Sequence, residues 1–186
     1  MFYGGSHALR LYQSAKMNKH LKGYSVINKT KSGYNFEICT FPREIRNLKS
    51  TDMLCIQVFG NDLLQKHFYI EKVNGKKCIH LTKFVPKGQK ILDKLYDDLF
   101  SLLITLKCRV IFVNLISRVA CCPHHYHKGI QSFYKIQKNI IKKKFEQFEV
   151  FDPDPIAKKL RVDAVHLMRF QYDKIVELVV NRKGLQ

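Results

Sequence analysis

The residues best suited to chemistry crowd into one stretch, Cys121-Cys122-Pro123-His124-His125-Tyr126-His127, where thiols and imidazoles offer the ligand types zinc prefers. Structural zinc sites draw on separated pairs of ligands, and two adjacent cysteines rarely chelate one ion. No metal is therefore expected there. Nucleophilic or acid–base catalysis finds no better footing. There is no Gly-rich phosphate loop, no pair of carboxylates on one helix, and no Cys, His and Asp set with a supporting turn. The expectation is a protein that is not an enzyme, with no catalytic residue and no cofactor.

Charge points elsewhere. Lys and Arg number 33 against 15 Asp and Glu, a formal +18 that is easiest to tolerate beside a polyanion. A bilayer is a poor partner, because the most apolar stretch, Leu99 to Ile116, is interrupted by Lys107 and Arg109 and falls short of the roughly 18 clean residues a span needs. Between Asp98 and Glu146 there is no carboxylate at all. Solvated faces mix signs and this one does not, so Arg109, Arg118, Lys128, Lys135, Lys138, Lys142, Lys143 and Lys144 are expected to meet nucleic-acid phosphates. Tyr126 is the candidate for stacking on a base, flanked by His124, His125 and His127 in the same loop.

The elements that would position these residues divide the chain in two. Residues 1–77 are expected to be an extension, a basic tail followed by short strands such as Met53–Phe59 and Phe68–Val73, with Asn74-Gly75 marking a hairpin. From Cys78 the pattern reads strand, helix (Leu92, Leu95, Leu99, Leu102 on one face), buried strand (Val110–Val113), strand (from Tyr134, with a bulge near Lys142–Lys144, to Val150), helix (Ile156, Leu160, Leu167) and strand (Lys174–Val180). That order predicts an α+β ferredoxin-like split βαβ sandwich over residues 78–186. Its four-stranded antiparallel sheet would carry two helices on one face, with a protruding basic hairpin loop at 117–133. The six cysteines form no C-x-x-C pair and are expected to be reduced thiols.

Residues 78–181 carry ordered landmarks: Ile91-Leu92-Asp93 at the helix start, Cys108-Arg109-Val110, Leu115-Ile116-Ser117-Arg118, Cys122-Pro123-His124 with Lys128, Tyr134-Lys135-Ile136-Gln137, and Asp163-Ala164-Val165 through Leu167-Met168. In that order they resemble the small-subunit ribosomal protein ten family. The loop between Arg118 and Pro123 is shorter than that family's, and Lys135, Gln137 and Asn139 replace an acid, an arginine and a histidine. The resemblance implies a structural constituent of the ribosome that binds ribosomal RNA and neighbouring small-subunit head proteins through the basic hairpin, without membrane or homo-oligomeric partners. The related mitochondrial large-subunit protein shares the implied fold. From Met1 to Asn35 there is no acidic residue, a composition shared by mitochondrial targeting segments and RNA-binding tails, so the mitochondrial matrix is the expected compartment and the cytoplasmic ribosome the alternative. The alternative function is a GNAT-like acyl-CoA-dependent acyltransferase. Val85-Pro86-Lys87-Gly88-Gln89-Lys90-Ile91-Leu92 joins strand to helix as that family's pyrophosphate-binding turn does, with one glycine where two are wanted.

Overall fold

The computed structural model describes residues 1–32, 35–37, 41–74, 76–116, 124–157 and 166–181, of which 61, 70, 72, 76–84 and 124–130 are described as backbone. In chain order the elements are β1 (Phe2–Gly4), α1 (Ser6–Met17), β2 (Asn28–Thr30), α2 (Arg43–Arg46), β3 (Met53–Gln57), α3 (Gly60–His67), β4 (Phe68–Val73), β5 (Lys76–Phe84), α4 (Gly88–Leu103), β6 (Arg109–Val113), α5 (His124–Lys144), β7 (Glu149–Phe151) and α6 (Arg169–Asn181).

Five strands form one sheet in the order β2-β1-β3-β6-β7, and every pairing in it is parallel. Parallel strands need helical crossovers, which cover both faces and bury the strands on both sides. β6 shows the consequence directly. Val110 and Phe112 face one core with Leu54 and Ile56 of β3, against Leu63 of α3, Leu92, Tyr96 and Leu99 of α4, Phe133 and Ile141 of α5, and Phe145 just beyond it. Ile111 and Val113 face the other, with Cys55 and Phe151, against Leu11 and Ala15 of α1 and Tyr172, Ile175, Val176 and Val179 of α6. The two-residue period of a strand sorts the side chains between the layers.

The expected ferredoxin-like sandwich is thus replaced by a doubly wound α/β arrangement. A strand apolar on both faces, such as Val110–Val113, cannot sit in a sheet with helices on one face only without exposing Ile111 and Val113, both buried here. Residues 1–77 supply β1, β2 and β3, three strands of the sheet. The acid-free N-terminal segment, expected to be a basic tail, contributes Phe2, Tyr3, Leu11 and Ala15 to the core. The expected strand from Tyr134 is helix α5, whose buried Phe133, Tyr134, Gln137, Lys138 and Ile141 recur at three- and four-residue steps. Lys174–Val180 likewise belongs to helix α6. The Asn74 hairpin is present: β4 and β5 pair antiparallel with Val73 opposite Lys76, as a two-stranded sheet of their own.

Two backbone details fix how the sheet ends. Gly4 has φ +135°, and a Cβ on it would lie 1.8 Å from the Gln57 carbonyl oxygen, so only glycine lets β1 approach β3 this closely. Phe59, buried at φ 75°, turns the chain sharply from β3 into α3.

Candidate active site

In an open parallel sheet the crevice for a ligand lies beyond the carboxyl ends of the strands, where the strand order reverses. Here that point falls between β1, whose chain leaves toward β2, and β3, whose chain leaves toward β6. Three segments converge on it.

The first is the turn from β1 into α1. Gly4 and Gly5 bridge strand to helix, Gly5 N–H donates to the Gln57 carbonyl at 3.1 Å, and Ser6 is the first residue of α1. Strand, tight glycine turn, serine and helix N-terminus are the parts of a nucleophile elbow, which lifts a hydroxyl above the sheet edge. A Cβ on Gly5 would meet nothing within 4 Å, so the space at the turn is open.

The second is the turn from β3 into α3, where Gly60, Asn61 and Asp62 form the helix's first turn. A Cβ at Gly60 also meets open space. The N-terminus of a helix presents unpaired backbone N–H groups and positive potential, suited to an oxyanion. Asp62 turns inward and is fully buried, its two oxygens accepting the Phe36 N–H at 3.0 and 3.1 Å. This carboxylate therefore tethers the segment after β2 to α3, and burial pushes its pKa up to about 6. On α5, the Tyr134 hydroxyl donates to the Gly60 carbonyl at 2.7 Å and closes the outer side of the turn.

The third is the segment that enters α6. His166 stands here with its ring centroid 5.0 Å from that of His7, the residue after Ser6. Gln171 braces this segment, its Oε1 accepting the Met168 N–H at 3.0 Å and its Nε2 donating to the Ile156 carbonyl at 2.7 Å. A serine on a strand–helix turn, and a histidine from a distant segment whose ring lies against that of the serine's neighbour His7, are residue types that a nucleophile–base–acid triad uses.

None of these residues stood out from the sequence. Gly60-Asn61-Asp62 passes for a loop separator, and Asp163 with His166 for part of a helix. The available signal was the repetition of one arrangement, in which a short apolar run leads into Gly-Gly-Ser at one place and Gly-Asn-Asp at another.

Of the residues expected to bind RNA, Arg109, Lys138 and Lys144 are engaged in ion pairs. Arg109 at the start of β6 makes a two-pronged ion pair with Glu149 of β7, Nε to Oε1 at 2.5 Å and Nη2 to Oε2 at 2.7 Å. Lys138 is buried on α5 and pairs with Asp152 and Asp154, and Lys144 pairs with Asp97 of α4. The acids missing from the local stretch are thus delivered by neighbouring elements. Lys135, Lys142 and Lys143 are exposed on α5. His124, His125, Tyr126, His127 and Lys128 form its first turns rather than a hairpin loop, because residues 124–144 are helical throughout. Arg118, Cys121 and Cys122 lie outside the described residues, as does Asp163. Among the described residues no group of three His, Cys, Asp or Glu could hold a metal, no helix is long and apolar enough to cross a membrane, and Cys55 and Cys108 are buried free thiols. The acyltransferase-like turn is closed as well, since a Cβ on Gly88 would lie 2.6 Å from the Lys66 carbonyl oxygen, where a cofactor phosphate would need room.

By sequence, no protein-family model and no curated protein matches the chain. By structure it is similar to a carbohydrate acetylesterase from Sinorhizobium meliloti, at 12% identity over 96% of this chain and 86% of that one, TM-score 0.61. An inhibitor-bound aryl esterase from M. smegmatis matches at 11% identity with the same coverages and TM-score 0.61. A variant of an acetyl-xylooligosaccharide esterase from Geobacillus matches at 14% identity over 97% and 81%, TM-score 0.51. At such identities the likeness establishes the fold. It also overturns the ribosomal resemblance, whose landmark Tyr134–Gln137 falls on a helix where that family's pattern needs a strand. Ribosomal RNA, small-subunit head proteins and a place on a mitochondrial or cytoplasmic ribosome fall with it.

Proposed function

We propose that the chain is a serine ester hydrolase acting on small acyl esters, with Ser6 as nucleophile, His166 as general base and Asp163 as the acid that orients it. The observation that carries this is the meeting of Ser6's turn with His166 at the carboxyl edge of a parallel sheet, the rings of His7 and His166 being 5.0 Å apart. Asp163 enters on sequence, three residues before His166. The likeness to a carbohydrate acetylesterase, an aryl esterase and an acetyl-xylooligosaccharide esterase supports the same reaction class and suggests acetyl esters as the first substrates to try.

The Ser6 hydroxyl attacks the ester carbonyl carbon and gives its proton to the His166 imidazole. Negative charge that develops on the carbonyl oxygen is met by the first turn of α3, where Asn61 stands. Collapse of the tetrahedral intermediate breaks the ester C–O bond, and the departing alkoxide takes the proton from His166. Water, deprotonated by the same imidazole, then attacks the acyl-serine and releases the carboxylic acid and free Ser6. Asp163 stabilises the imidazolium formed in each half.

Hydrolysis of p-nitrophenyl acetate, with Ser6→Ala and His166→Asn as controls, tests this. Activity should fall about a thousandfold or more in either variant, and a fluorophosphonate should label wild-type protein on Ser6 and leave Ser6→Ala unlabelled. Equal turnover by Ser6→Ala and wild type would refute it.

A further inference from the structure

Tyr172 is a buried phenol on the face of α6 that packs against α1, and its hydroxyl oxygen is shared by two polar groups. It lies 2.7 Å from His7 Nδ1, 165 residues away in sequence, and it accepts the Leu167 N–H at 3.2 Å. His7 follows Ser6 and Leu167 follows His166, so one oxygen atom is bonded to the next-door neighbour of the nucleophile and to that of the base. The His7 ring also lies against the His166 ring, tilted at 51°.

We infer that His7 and Tyr172 are a positioning pair that sets the His166 imidazole relative to Ser6, a role that rests on the hydrolase proposal above. The Leu167 N–H donates to the phenolic oxygen, and the contact with His7 Nδ1 runs in the direction that the ring's tautomer sets. In either tautomer the bond fixes the place of Nδ1 against the phenol. The ring is thereby held in one orientation, as a wall for the base. Such a pair does little for stability, because two apolar groups of the same shape in a packed interface are about as stable as a satisfied hydrogen bond. What it supplies is direction. A hydrogen bond fixes distance and angle where an apolar contact tolerates sliding, and α1 and α6 meet here through side chains alone rather than through strand pairing.

The test compares wild type with Tyr172→Phe, His7→Leu, the double variant and His7→Asn, whose side-chain oxygen can stand near the place of Nδ1. Measured on p-nitrophenyl acetate, kcat should fall roughly 10- to 100-fold in Tyr172→Phe and His7→Leu with KM unchanged, the size expected of a misplaced base. The double variant should be no slower than the worse single, because the two residues act as one unit. It should also melt close to wild type, and His7→Asn should recover most of the lost kcat. Wild-type kcat in Tyr172→Phe and His7→Leu would overturn the positioning role, and so would a loss of kcat that merely follows a loss of Tm. If either occurs while Ser6→Ala is inactive and unlabelled by fluorophosphonate, the pair alone falls. If Ser6→Ala turns over like wild type, the hydrolase proposal falls and the pair with it.

Discussion

Replacing Asp62 by Asn should make the protein more stable at neutral pH and should flatten a slope in its stability against pH. The carboxylate is buried, receives one backbone N–H on its two oxygens, and has its pKa raised by desolvation from 3.8 to about 6. A folded-state value above the unfolded one means that the native chain holds this proton more tightly. The group's contribution to stability is therefore full below the unfolded value and is lost as pH rises through about 6. A shift of that size corresponds to about 3 kcal/mol, at about 1.36 kcal/mol per unit. Asn keeps an acceptor for the Phe36 N–H and carries no charge. Urea unfolding of both proteins between pH 3.5 and 8 isolates the group, because every other titration cancels in the difference. The difference should move in the variant's favour by roughly 3 kcal/mol, mostly between pH 4 and 6. A difference that stays constant across this range, within about 0.5 kcal/mol, would refute the assignment of a strained, desolvated carboxylate to this tether.

Gly4→Ala should cost about 3 kcal/mol or more, or prevent folding, since the new methyl meets the Gln57 carbonyl at 1.8 Å on a backbone with φ +135°; chemical denaturation or soluble yield reads this out. Lys87, exposed at φ 57° ahead of α4, should respond to Lys87→Gly with a gain of up to about 1 kcal/mol in thermal unfolding, as relief of left-handed strain outweighs the added freedom of the unfolded chain. Lys138→Ala should cost about 2–3 kcal/mol, less than a fully buried pair because Asp152 is largely exposed, whereas Lys142→Ala on the outer side of α5 should change stability by less than about 0.5 kcal/mol. Equal effects of the two lysine substitutions would contradict the placement of α5.

The parts of this fold that were legible in the sequence were those whose periodicity had one interpretation. Leu92 and Leu99 mark α4, whose buried face runs on through Tyr96 and Leu103 rather than Leu95 and Leu102, Asn74 marks the β4–β5 turn, and Val110–Val113 declares a strand buried on both faces. That last signal already required helices on two sides, but four adjacent strand-like residues do not say which strands flank them. In α6 the β-branched Val176 and Val180, with Leu178 between them, imitate a strand. The true period runs through Tyr172, Ile175, Val176 and Val179, and tertiary packing overrides the local preference. α5 misled in the same way, through Tyr134-Lys135-Ile136. The candidate site was hidden for a different reason. Ser6 follows a strand of three residues, too short to register as periodic, and His166 comes from the far end of the chain. Charge misled because ion pairs such as Arg109 with Glu149 join residues well separated in sequence, which a count along a local window cannot see.

The order β2-β1-β3-β6-β7 also sets a calendar for the growing chain. By the time residue 57 is made, β1, β2 and β3 are all available and adjacent, so a three-stranded half-sheet can close before the rest exists, and β6 and then β7 join the single growing edge in the order of synthesis. His166 and α6 come last, docking onto α1, an element made at the outset. A nascent or truncated chain ending before residue 166 would thus display Ser6 on its turn without His166. On the proposed reading, the docking of α6 onto α1 is the step that completes the site.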